Sequence, residues 1–196
     1  MSANHEMETK AYIFSEIQVL ADNLITLRKN QNLNLFLDLC NALFETIDNK
    51  GKLLFMGNGG SAAEATHLAA EFVGKCVNDV GPISAISLSD SNSVLTAIPN
   101  DFGFDFLFSR QVEALCRSED LLIGLSTSGK STNVLKGLEA GKAIGAKTSL
   151  WTGKIVDKLD FIDFQIMLDI DSTPRAQEIH LFLGHMLAEV FANRIK

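Results

Sequence analysis

Leu53-Leu54-Phe55-Met56-Gly57-Asn58-Gly59-Gly60-Ser61 is a short apolar run that stops on a glycine-rich turn. Consecutive apolar side chains between Gly51 and Gly57 suit a strand buried on both faces, and the turn opens a stretch of helical spacing that reaches Val77. The unit recurs. An apolar run at 83–88 precedes Ser89-Asp90-Ser91-Asn92, and one at 121–125 precedes Ser126-Thr127-Ser128-Gly129. Runs at 148–151 and 164–168 then lead into a last helix from about Thr173 to the C-terminus. Strands alternating with helices predict an α/β fold: a five-stranded parallel sheet between two helical layers. Ligands of such sheets bind beyond the carboxyl ends of the strands, where the Gly57 and Ser126 loops fall.

Upstream, residues 11–29 and 33–49 repeat apolar side chains at three- and four-residue steps (Ile13, Ile17, Leu20, Leu24, Leu27), the spacing of two amphipathic helices. Carrying no evident chemistry, they are assigned to cover the sheet or pair with another subunit. Residues 1–9 are expected to fray. The chain of 196 residues suits one domain spanning 1–196. A net charge of -7 opposes the basic surface that nucleic acid requires. Cys40, Cys76 and Cys116 lie in apolar surroundings and read as buried free thiols in a reducing compartment. The N-terminus lacks the pattern of a signal peptide, and no apolar run reaches the ~20 residues of a membrane span. The cytoplasm is the expected location, with no membrane partner.

Ser126-Thr127-Ser128-Gly129-Lys130-Ser131 offers hydroxyls, backbone N–H groups and a helix dipole to an anion. A plain helix N-cap by Ser128 or Ser131 is the competing reading. The stretch also matches a Walker A pattern, Gly124-x4-Gly129-Lys130-Ser131, with Ile166-Met167-Leu168-Asp169 imitating an acidic strand. Against a nucleoside triphosphatase, Gly124 falls inside a strand and the loop is rich in hydroxyls rather than glycine. Gly57-Asn58-Gly59-Gly60-Ser61-Ala62 fits a loose dinucleotide fingerprint, but Asp90 comes too late to hold a ribose.

His67 and Glu71 are four apart and share a helix face, where they can grip a cation or divide proton transfers; a solvated surface pair is the plainer alternative. The last helix offers Gln177 and His185, the latter beside the apolar stripe Ile179, Leu183, Met186, Leu187 and Val190, which also suits a core-edge histidine. His180 reads as partly exposed and outside the site. Gln177 and His185 are separated by ~12 Å of rise on a straight helix. Serving one metal would require a distorted helix or a neighbouring subunit, and the second is expected.

With GNGGSAAEATHLAAEFVGK at 57–75, NDFGFDFLFSRQVEA at 100–114, GLSTSGKSTNV at 124–134 and PRAQEIHLFLGH at 174–185, the chain from about residue 10 onward resembles the phosphoheptose isomerases of the sugar isomerase (SIS) domain superfamily. The resemblance implies a flavodoxin-like three-layer fold, a homotetramer with active sites at subunit interfaces, and a zinc ion. It implies conversion of sedoheptulose 7-phosphate to D-glycero-D-manno-heptose 7-phosphate through an enediolate, the first step toward the nucleotide-activated heptoses of, for example, lipopolysaccharide. Metal positions fall on His67, Glu71, Gln177 and His185. Substrate contacts fall on Asn58, Gly59, Gly60, Ser61, Glu71, Asn100, Asp101, Ser126, Thr127, Ser128, Ser131 and Gln177. Glu71 becomes the base and His185 the acid, while Lys130 becomes incidental. The chain departs from the family pattern in a short 151–156 connection and in Pro99. A non-catalytic alternative exists, since SIS relatives also serve as sugar-phosphate sensors or protein-binding adaptors, including one that associates with a replication initiator. Joint presence of Glu71, Gln177 and His185 favours the enzyme.

Overall fold

The computed structural model describes residues 3–29 and 32–194. Helices α1 (Ala3–Lys29) and α2 (Asn32–Asp48) lead into β1 (Leu53–Gly57), α3 (Gly60–Val73), β2 (Ala85–Ser87), α4 (Asn92–Phe102), α5 (Leu107–Leu115), β3 (Leu121–Leu125), α6 (Thr132–Ile144), β4 (Lys147–Thr152), β5 (Phe164–Met167) and α7 (Thr173–Arg194). The five strands lie in the order β2-β1-β3-β4-β5, all pairings parallel. This is the doubly wound order in which a crevice opens beyond β1 and β3, where sheet growth reverses direction.

Every residue of β1 and β3 is buried, so alternation assigns side chains to two cores rather than to core and solvent. Leu53, Phe55, Leu121, Ile123 and Trp151 pack with α2, α3 and α7. Leu54, Met56, Leu122 and Leu150 pack with α5 and α6. Register pairs Gly57 with Leu125, which brings the two loops expected to bind ligand to one edge of the sheet. The free side of β5 is covered from α2, where the Asn32 amide donates to the Met167 carbonyl and accepts from its N–H.

Differences from the sequence reading lie at the ends of elements. The second strand was expected at 83–88 but its ladder is three residues long, because the Ile83 N–H is taken by the Phe72 carbonyl at the end of α3. Residues 3–9 continue α1 rather than fraying; Met1 and Ser2 lie outside the described residues. The apolar stripe of α1 is split: Leu20, Leu24 and Leu27 pack on the core, whereas Ile13 and Ile17 are exposed, together with Tyr12 and Phe14. Of the three free thiols, Cys40 is buried, but Cys76 and Cys116 are only half-buried. No helix among the described residues is long and apolar enough to cross a membrane.

Candidate active site

Helices α3 and α7 lie side by side and run in the same direction, and two glycines let them approach closely. A Cβ on Gly60 would lie 2.4 Å from Nε2 of Gln177, and a Cβ on Gly184 would lie 2.2 Å from Cδ2 of Leu68. His67 and His185 therefore face each other. Their Nε2 atoms are 2.9 Å apart, and the rings meet edge to face with centroids 5.1 Å apart. Oε1 of Glu71 lies 3.3 Å from Nε2 of His67. Ligand atoms of these three residues all fall within 4.8 Å of one another. Two imidazoles and a carboxylate are a donor set that suits a divalent cation such as zinc. The cluster is open on one side, since the His67 side chain keeps 47% of its surface exposed.

Within one chain α3 supplies His67 and Glu71 and α7 supplies His185, so these three meet without a neighbouring subunit. Parallel packing at Gly60 and Gly184 does what sequence spacing could not foretell. Gln177 is the member left apart. Helix α7 is continuous from Thr173 to Arg194, so Gln177 remains two turns from His185, where its Nε2 donates to Oγ of Ser61 at 3.4 Å.

The second loop closes a turn of its own. The Gly129 N–H donates to the Ser126 carbonyl at 2.8 Å, with Gly129 at a φ of +67° that favours glycine. Ser126 and Ser131 share a hydroxyl–hydroxyl bond of 2.9 Å. Ser131 is the N-cap residue of α6, yet its side chain caps no N–H, and Ser128 Oγ takes the Lys130 N–H. The simple capping alternative is thus not what these hydroxyls do. Thr127 is half-buried, Ser128 and the Lys130 side chain are exposed, and the Thr127 carbonyl is held by the N–H groups of Gly153 and Lys154. Gly124 lies inside β3 with Val134 and Leu138 against it, so the Walker A pattern has no loop at its first glycine. Asn58 pairs reciprocally with Asn133, amide to amide, at 2.8 and 2.9 Å, which locks the first loop to the start of α6. Asn100 donates to Asp101 at 2.7 Å; both are exposed at the end of α4, with no hydrogen bond to the Ser126 loop among the described residues.

A SIS domain model matches residues 17–153. The phosphoheptose isomerase of Helicobacter pylori strain P12 is 48% identical over 148 residues, covering 75% of this chain and 77% of that protein. The chain belongs to the phosphoheptose isomerase family. Among solved structures, a phosphoheptose isomerase of Neisseria gonorrhoeae superposes with a TM-score of 0.85 at 32% identity, over 93% of this chain and 98% of that one. One from Francisella tularensis gives 0.83 at 25% identity, over 98% of this chain and all of the other.

In this member of the phosphoheptose isomerase family, three polar residues that the sequence reading left out of the site are buried. Asn133 is 2% exposed and lay inside the quoted 124–134 segment, but nothing in its spacing announced a bond to Asn58. His180, read as partly exposed, is wholly buried against Trp151, with ring centroids 6.2 Å apart. Burial holds its imidazole down at about 4, the Thr152 backbone opposing weakly, and neither nitrogen has a partner in bonding geometry. Glu64 is 8% exposed, and burial pushes its carboxyl up to about 7 against the Ser61 hydroxyl. The signal for Glu64 was its place one turn before His67 on α3.

Proposed function

We propose that the chain is a zinc-assisted isomerase that converts sedoheptulose 7-phosphate to D-glycero-D-manno-heptose 7-phosphate, at sites completed between subunits of a homotetramer. The observation that carries this reading is the convergence of His67, Glu71 and His185 in one chain, beside a glycine loop tied through Asn58 and Asn133 to a hydroxyl-rich loop.

Moving a carbonyl between adjacent carbons requires a base, an acid and stabilisation of an enediolate. His67, Glu71 and His185 would hold the zinc ion, with Gln177 as the fourth donor, and the ion supplies polarisation of the substrate oxygens. Glu71 takes the proton from the carbon next to the carbonyl. Its Oε1 lies 3.3 Å from Nε2 of His67, which places the carboxylate at the edge of the cluster where substrate would sit. His185 delivers a proton on the opposite side. Ser126, Thr127, Ser128 and Ser131, with the N-terminus of α6, receive the phosphate without a dedicated cation. Asn100 and Asp101, exposed at the end of α4, orient sugar hydroxyls at the shared site.

The open side of the cluster and the exposed Tyr12, Ile13, Phe14 and Ile17 of α1 support assembly with further copies. A cytoplasmic setting belongs to the same reading. The test is incubation of purified protein with sedoheptulose 7-phosphate, with and without a chelator, following the aldose by NMR. Formation of aldose that stops with chelator and returns with zinc supports the reading; no aldose from zinc-loaded protein overturns it.

A further inference from the structure

Helix α3 presents one more polar residue to α7. Gly60 meets Gln177 and Leu68 meets Gly184. The helical repeat puts Glu64, midway between them, on the same stripe. Glu64 is 8% exposed and neither carboxylate oxygen has a hydrogen-bond partner in bonding geometry. Burying a carboxylate in that condition is costly, and such groups persist where they serve something. A donor placed to relieve it is the Ser61 hydroxyl, one turn back on α3. That hydroxyl is also the atom toward which the Gln177 amide points, Nε2 to Oγ at 3.4 Å. Amide, hydroxyl and carboxyl therefore form a row, with Ser61, itself 4% exposed, in the middle.

A primary amide presents a donor and an acceptor of nearly equal size, and a half-turn exchanges them. A cation or an electrophilic carbon is served only by the acceptor end. We propose that Glu64 is a positioning residue that accepts the Ser61 O–H, so that Ser61 accepts the Gln177 N–H and Oε1 becomes the atom Gln177 offers to the site. The relay needs no contact between Glu64 and the ligand. It also gives a reason for glycine at 60, because a side chain there would displace the amide from the hydroxyl. This inference rests on the reading that Gln177 serves the isomerase site.

The test is a double-mutant cycle on the full chain, read by zinc affinity from competition with a chromophoric chelator and by kcat/KM for sedoheptulose 7-phosphate. Substituting a residue that orients a metal ligand costs about 10–100-fold, so Glu64→Ala and Ser61→Ala should each lower zinc affinity by about 10-fold. Glu64→Gln keeps an acceptor for the Ser61 hydroxyl and should recover most of that loss. Glu64→Ala added to Gln177→Ala should cost nothing further, since it acts through a group already gone. Additive losses in the double variant overturn the relay while leaving Gln177 in the site. A silent Gln177→Ala, in affinity and in kcat/KM, removes Gln177 from the site and the relay with it. Should Glu64→Ala fail to fold, the Ser61→Ala and Gln177→Ala pair carries the same cycle.

Discussion

Nε2 of His67 stands 2.9 Å from Nε2 of His185, 118 positions away in the chain. Two neutral imidazoles cannot both present lone pairs to each other at that distance without a proton or a cation between them. A carboxylate oxygen of Glu71 at 3.3 Å from the first nitrogen adds negative charge to the same point.

Removing a proton-transfer group at constant volume separates chemistry from folding. Glu71→Gln and His185→Gln are expected to lower kcat by at least about 10²-fold, within the range that positioned acids and bases contribute. Size-exclusion profiles should stay those of the unmodified protein. Near-normal kcat in either variant would remove that residue from catalysis.

Lys130 is the lysine that a nucleotide-binding loop could not lose. Here its side chain is exposed, and its backbone N–H, which any residue retains, bonds Ser128 Oγ. Lys130→Asn should leave kcat/KM within about twofold, as surface changes usually do. A large loss would reinstate lysine as a phosphate ligand.

Gly184 packs directly on Leu68 of α3. An added methyl would sit 2.2 Å from Cδ2 and 2.9 Å from Cγ of Leu68, so more than a flexible tip must move. Gly184→Ala should destabilise by about 1–3 kcal/mol, the usual cost of overpacking. Zinc affinity should fall with it as His185 is pushed from His67. Leu68→Ala in the same chain should restore part of both, measured by thermal denaturation and chelator competition.

Acid should expose the buried imidazole of His180. Folded, it titrates at about 4 instead of 6.5 because of burial, with the Thr152 backbone opposing weakly. Between those values the unfolded chain binds the proton and the folded chain does not, so stability falls as pH drops from about 6.5 toward 4. Glu64 acts oppositely. Burial raises it from 4.5 to about 7 despite the Ser61 hydroxyl, so stability falls as pH rises through that interval. His180→Leu removes only the first contribution. Relative to the unmodified protein, the variant should gain on the order of 2 kcal/mol on going from about pH 7 to about pH 5. Equal pH dependence in the two proteins, followed by denaturant unfolding, would rule out a buried neutral His180.

The sequence makes the alternation of strand, turn and helix legible, because a short run such as 53–57, apolar without a break and closed by a glycine turn, suits a strand buried on both faces. It also marked His67, Glu71 and the Ser126 loop, since local spacing and hydroxyl density survive in one dimension. Tertiary structure alone decided that Gly60 and Gly184 let α3 and α7 close up within one chain, and that His180 and Glu64 are sealed inside. It alone paired Asn58 with Asn133 across 75 residues. The physical reason is that periodicity reports which face of an element is apolar, whereas the partner that covers that face is chosen by packing between elements far apart in the chain.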